Sequence, residues 1–239
     1  MSVLQPMPQV QLTSAQLAPF GVTWTANGGR LSRTPPQSSS QLGGLIDRAL
    51  GESLATMLGN IPVVTPKKNR LIPPAPHTDC VEVGPVTVVG AVRVQDFDVG
   101  YRPDGVRIVA DSKTLNDKKS IAKNGWNMIN DLATEATTIH VRFPAAVVIF
   151  IVAYPEPAVE PARRLVMIET LDRMTGRFLP DEDAHRAEAI SFVLWDPATG
   201  AINANEPPHD SPLHIDNLHT QVEKAYRSRY KGDPPHRKP

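Results

Sequence analysis

Asp96, Asp98, Asp111 and Lys113 fall within one short stretch, DFDVGYRPDGVRIVADSKT, where residue type and spacing best suit chemistry. Carboxylates this dense can hold a divalent cation beside a phosphodiester. A lysine among them can orient or deprotonate a water, or balance charge building on phosphorus. The arrangement depends on a hairpin. Phe97, Val99 and Tyr101 alternate with Asp96, Asp98 and Gly100, and Val106, Ile108 and Ala110 alternate with Arg107, Val109, Asp111 and Lys113. Between the runs, Arg102-Pro103-Asp104-Gly105 is a turn signal: Pro presets φ for the first central position and Gly closes the turn. That turn accounts for Asp104 without catalysis.

A four-residue loop sets Tyr101 opposite Val106, Asp98 opposite Val109 and Asp96 opposite Asp111. Side chains alternate along a strand, so Asp96, Asp98, Asp111 and Lys113 then share one face; a loop one residue shorter would move Asp96 and Asp98 to the other face. Facing carboxylates repel and need a counter-charge, for which a hard cation is the simplest source. The Ser112 carbonyl, between acid and lysine, can be a further ligand.

The elements that must position these residues follow from periodicity. Leu42, Leu45, Ile46, Leu50, Leu54, Met57 and Leu58 predict a helix over Ser40 to Gly59. Cys80 to Val94 is rich in β-branched residues and predicts a strand, bulged at Gly84-Pro85 or Gly90. After Lys113, Asn116 is a candidate N-cap for a helix of about five turns carrying Ile121, Gly125, Met128, Ile129, Leu132, Ala133 and Ala136. Ala145 to Tyr154 is continuously apolar, which predicts a strand covered on both faces and reached by a right-handed crossover. Ala162 to Thr175 and Leu213 to Tyr230 read as helices and Ala187 to Trp195 as a strand. Residues 1–39 predict a loop-rich arm with a short strand at Val22 to Thr25. Residues 40–195 form the expected catalytic domain, and residues 196–239 an extension ending in a mobile, basic, Pro-rich tail that includes Arg237 and Lys238.

The run from Asp98-Val99 through the turn to Val-Arg-Ile-Val-Ala-Asp111-Ser112-Lys113 resembles the active-site hairpin of the PD-(D/E)XK nuclease superfamily, in its DxK form. Asp98 matches the first acid better than Asp96, because apolar or small residues follow it. The resemblance spans roughly residues 40 to 154. It implies an α/β fold of the mixed-sheet kind with a restriction-endonuclease-like core: a helix, a three-strand meander, a crossover helix and a parallel strand. It implies Asp98, Asp111 and the Ser112 carbonyl as ligands of Mg²⁺, with Mn²⁺ as a substitute, and Lys113 acting on the attacking water. Glu52, on the first helix, and Asp96 are second-rank candidates for an accessory carboxylate or a second ion. The size and layout resemble single-domain type II restriction endonucleases, which implies double-stranded DNA as substrate, a palindromic site and a homodimer. Lys118, Lys119 and Lys123 at the start of the crossover helix, and Lys67, Lys68 and Arg70 before the first strand, are candidate contacts to DNA phosphates. Two alternatives stand beside this reading. One is a structure-selective repair or recombination nuclease of the same fold. The other is a non-catalytic binding or assembly protein whose hairpin carboxylates are solvated and whose Lys113 merely pairs with a neighbouring acid.

Composition sets the outer bounds. Lys and Arg number 25 against 25 Asp and Glu, so bulk charge gives no attraction to nucleic acid, although a local groove can. Twenty-four prolines in 239 residues, about twice the usual share, fit a chain with many ordered loops. A lone Cys80 leaves no internal disulfide and no CxxC metal knuckle, which fits a reducing cytoplasm. No signal peptide is expected from residues 1–13, and the apolar run at Ala145 is too short to span a bilayer. The absence of GxSxG, Walker and dinucleotide motifs gives no support to serine hydrolase, NTPase or Rossmann chemistry, and no nucleotide cofactor is expected. His209, His214 and His219, spaced by five, put no pair on one helical face for zinc.

Overall fold

The computed structural model describes residues 3–236. Its centre is a mixed sheet of six strands in sequence order, β1 (Val63–Val64), β2 (Val81–Val89), β3 (Val94–Tyr101), β4 (Ile108–Thr114), β5 (Val147–Pro155) and β6 (Ala189–Trp195). β2, β3 and β4 form an antiparallel meander. β1 runs parallel to β2, and β4, β5 and β6 run parallel to one another. Five α-helices cover the two faces among the described residues: α1 (Ser14–Ala26), α2 (Ser39–Met57) and α5 (Ile215–Tyr230) on one, α3 (Lys118–His140) and α4 (Pro161–Met174) on the other.

Local sequence explains the elements nearest the hairpin. α2 starts at a capping box, Ser38 accepting from Gln41 N while the Gln41 side chain returns to Ser38 N. Its stripe of Leu42, Ile46, Leu50 and Leu54 packs against the meander, and Gly51 permits the approach: a Cβ there would lie 2.4 Å from Val83 Cγ2. α3 begins one residue later than expected, because Asp117, not Asn116, accepts from Ser120 N. All nine residues of β5 are buried between the helical layers.

At the far edge Glu188, at the entry to β6, is buried among Arg177 (2.7 Å), Arg229 (2.9 Å) and His140 (3.1 Å), and accepts from Val148 N at 2.7 Å. One carboxylate thus ties the end of α3, the segment after α4 and the end of α5 to the sheet.

Three expectations are corrected. Within residues 1–39, the described part from residue 3 on is not a loop-rich arm: Val22 to Thr25 lies in α1, which Thr13 and Gln16 cap as a second capping box. Trp24 Nε1 donates to the Asn116 carbonyl at 2.6 Å, and Met7, Val10, Leu17 and Leu31 belong to the core beneath α2 and α5. The chain as far as His236 is not loose either. His236 is buried with Tyr226 Oη 2.7 Å from its Nε2, and Arg229 is enclosed. Arg237 and Lys238 lie outside the described residues. Finally, the hairpin loop is six residues long, 102–107, closed by Arg107 N donating to Tyr101 O at 3.0 Å.

Candidate active site

The longer loop has a cause in charge. Arg102 folds back from the end of β3 to make a two-pronged, buried bond to Glu82 at 2.6 and 2.9 Å and to donate to the Thr87 carbonyl, and Arg107 Nε donates to Asp104 Oδ1 at 2.8 Å. Tyr101 therefore pairs with Ile108, Gly100 with Val109 and Val99 with Ala110. Continued by one step, this register sets Asp98 against Asp111. The offset from the four-residue loop is two residues, an even number, so Asp98 keeps the face of Asp111 that the loop predicted but now stands opposite Asp111, where the prediction had Asp96.

There the ladder between β3 and β4 ends. β3 stays on β2 as far as Val94, while β4 stays on β5 as far as Thr114, so the two strands part at the acids. A bulge in β2 between Val83 and Val86, at the Gly84-Pro85 position, accompanies a sharp rotation of β3: Val99 packs under α2 and Phe97 packs under α3. Bulges increase local twist and re-aim side chains. Asp98 at the pivot can thus meet groups from both faces of the sheet.

From the α3 side come Asp111, Lys113 and Glu135. Lys113 Nζ pairs with Asp111 and lies 3.0 Å from Glu135 Oε1. From the α2 side comes Asp47, buried within the apolar stripe, with Ser112 beside it. Ser112 N donates to Asp98 Oδ2 at 3.2 Å. Four carboxyl groups therefore gather around one ammonium, and among the described residues Lys113 is the one cation within 4 Å of any of them.

The electrostatics register this shortage. Burial, with the Asp98 charge adding to it, pushes Asp47 up to about 8, against smaller opposing effects of the Ser112 hydroxyl and Lys113. Burial and the neighbouring Asp98 carboxyl raise Asp111 well above the usual carboxylate range despite Lys113. Burial draws the Lys113 value down, but Asp111 and Glu135 outweigh it and hold the ammonium charged. The buried Oε2 of Glu135 has no partner. Oxygen donors with excess negative charge and an unused buried oxygen fit a hard divalent cation.

Two sequence candidates stand apart from this cluster. Glu52 is on the solvated side of α2, 60% exposed at its side chain and paired with Arg48 at 3.4 Å; Asp47 is the acid that α2 delivers instead. Asp96 is exposed and accepts from Thr87 Oγ1 at 2.6 Å; next to Phe97, it faces away from the Asp111 side. Neither Asp47 nor Glu135 was singled out from the sequence. Each lies inside the apolar stripe of its helix, an anomaly visible in the periodicity.

The basic candidates lie on exposed parts of the chain. Lys118 pairs with Glu160, while Lys119 and Lys123 are exposed on the first turns of α3. Lys67, Lys68 and Arg70 are exposed on a loop that Asn69 N anchors to Thr87 Oγ1 at 3.2 Å. His209 and His214 do converge, with Asp216 rather than His219. His214 is already used, Nδ1 accepting from Asp216 N at the start of α5 and Nε2 facing the Ala204 carbonyl.

No protein-family model, curated protein or solved structure matches this chain. No helix among the described residues is long and apolar enough to cross a membrane.

Proposed function

We propose that this protein is a metal-dependent phosphodiesterase of the PD-(D/E)XK nuclease kind, built on a restriction-endonuclease-like core formed by α2, β2 to β4, α3 and β5. Within that class we infer a type II restriction endonuclease, a homodimer that cuts both strands of double-stranded DNA at a palindromic site in the cytoplasm. The observation that carries the reading is the meeting of Asp98 and Asp111 where β3 and β4 part, with Lys113 on the same strand and Asp47 brought from α2. Burial of Asp47 and Asp111 weighs against a merely solvated acidic face, since buried like charges are costly unless a counter-ion uses them.

Asp98, Asp111 and the Ser112 carbonyl would hold Mg²⁺ or Mn²⁺, with Asp47 as an added carboxylate. Bound there, the ion supplies Lewis-acid polarisation of a phosphoryl oxygen and a more acidic water. The chain's own contribution centres on Lys113. Its ammonium, clamped between Asp111 and Glu135, is pre-oriented toward the acid pair. It can hydrogen-bond the attacking water or offset the charge that builds on the phosphoryl oxygens. Glu135 touches no reacting atom in this scheme and is a positioning residue.

Incubation of plasmid or phage DNA with the protein and Mg²⁺ tests the assignment, with the cut ends mapped. Discrete fragments are expected, and Asp111→Ala or Lys113→Ala should abolish cleavage while thermal unfolding stays cooperative. A Lys113→Ala protein that cuts at the wild-type rate would sink the mechanism. Nicking confined to branched substrates would turn the reading toward repair.

A further inference from the structure

Beyond Lys113, β4 runs into a polar groove of about 1030 Å³ that Thr114 lines. Its walls come from three separate parts of the chain: the loop after α1 with Arg30 and Arg33, the first turn of α2 with Ser38 to Ser40, and the start of α3 with Lys119. We propose that this groove binds the phosphodiester backbone of the nucleic-acid strand next to the scissile phosphate, with Arg30, Arg33 and Lys119 as its phosphate contacts. The inference rests on the nuclease reading and adds to it a binding track from the segment before α2.

Charge is the first argument. Arg30, Arg33 and Lys119 are exposed, and none has a carboxylate within 4 Å among the described residues. Arg33 faces the cavity without a partner and Arg30 is answered only by the Asp117 charge, and exposed guanidinium groups so placed suit a multi-oxygen anion such as a phosphate. The groove's one acid, Asp117, is occupied as the cap of α3, accepting from Ser120 N at 2.8 Å and from Ser120 Oγ at 2.6 Å. Three cations thus stand against one committed anion, in a chain whose total charge is zero.

Donors at the groove floor are the second argument. α2 begins here under the neutral Ser38 cap with no acid in its first turn, so its leading N–H groups and positive end meet the groove, whereas Asp117 already caps α3. Ser39 Oγ meets the Asn116 side-chain amide at 3.0 Å, which ties the first turn of α2 to the segment before α3.

Asn116 supplies an independent sign. It lines the groove at 5% exposure, and its Oδ1 has no partner. Turned over, the amide takes the Ser39 hydroxyl proton on Oδ1 and offers its NH₂ at the vacant position, where a phosphate oxygen can accept it. The position also fits, since Thr114 directly follows Lys113 and a strand advances about 3.3 Å per residue. A phosphate in the groove is therefore a near neighbour of one at Asp111, on the same polynucleotide.

The test uses fluorescence anisotropy of a labelled DNA duplex with Mg²⁺ over a salt series, in the Lys113→Ala background so that strands stay whole. Adding Arg30→Ala and Arg33→Ala should weaken binding roughly tenfold or more and flatten the log-affinity against log-salt slope by about two units, near 0.9 for each phosphate lost. Both side chains are exposed and neither makes an ion pair within 4 Å, so the melting temperature should change little. Unchanged affinity and slope in the double variant, with the wild-type protein cutting DNA, would overturn the groove and leave the nuclease reading standing. Weakened binding in the variant, with a wild-type protein that never cuts, would support the groove and overturn the nuclease reading. Inorganic phosphate is the second arm: stabilisation by it alone, without affinity for the duplex, would overturn the strand assignment.

Discussion

Asp47 and Asp111 make the charge of the cleft depend on what else is in it. A carboxyl whose folded-state value is raised favours the fold while protonated, so its contribution is full below its unfolded value near 4 and is lost as pH rises. In chelator, the melting temperature should therefore fall between about pH 4 and about pH 8, the window set by Asp47. Asp47→Asn should flatten that fall, which a thermal melt at several pH values reads directly. Mg²⁺ at the alkaline end should recover the loss, by about 2.7 kcal/mol at a hundredfold excess over the dissociation constant. Asp111→Asn should lose that recovery, and an equal Mg²⁺ effect in the variant would remove Asp111 from the ligand set. Glu135→Gln takes away one of the two groups that hold Lys113 charged. The alkaline limb of the cleavage profile should move to lower pH while the acid limb stays. At this scale the sequence showed the strand acids and hid the helical ones. Glu52 is the accessory carboxylate that the resemblance implies, yet Arg48 four residues before it marks that side of α2 as solvated. The useful sign was the acid among Ile46, Leu50 and Leu54, where only burial explains its place.

Whole elements were more legible, because periodicity reports on faces more than on ends. The helix over Ser40 to Gly59 is α2 at Ser39–Met57, and the continuous apolar run is β5 at Val147–Pro155. The loop length was not legible. Turn chemistry at Pro103 to Gly105 said nothing of Arg102 leaving the strand for Glu82, a partner twenty residues away. Nor could a local pattern show the rotation that separates Phe97 from Val99 and sends Asp96 away. Close packing of α2 is what delivers Asp47. Gly51→Ala inserts a methyl against Val83 and should destabilise the protein by about 1–3 kcal/mol, with weaker metal-induced stabilisation than wild type. Removing Glu188 leaves two buried arginines without their carboxylate. Glu188→Ala should cost about 3–5 kcal/mol in urea unfolding, and a loss below 1 kcal/mol would mean the enclosed charges are not a tie between helices.

Across the whole molecule, the three expected segments share one body. Gln5 N donates to the Met57 carbonyl and Met7 N to Glu223, so the N-terminal segment joins the end of α2 to α5. Deletion of residues 1–26 should strip Met7, Val10 and Leu17 from the core and abolish a cooperative melt, where a loose arm would be dispensable. The sequence concealed this because Pro, Gln and Ser dominate the segment, and only the Thr13 to Gln16 capping box announced α1. The parting of β3 from β4 has a mechanical side as well. Strands β1 to β3 and β4 to β6 are two hydrogen-bonded slabs, joined at the seam by three residue pairs. Asp98 belongs to one slab and Asp111 to the other. A cation shared by them would act as a staple across the seam, locking the slabs into a single unit. Amide exchange in residues 94–101 and 108–114 should then slow together on adding Mg²⁺, and protection confined to one strand would show the slabs to be held separately.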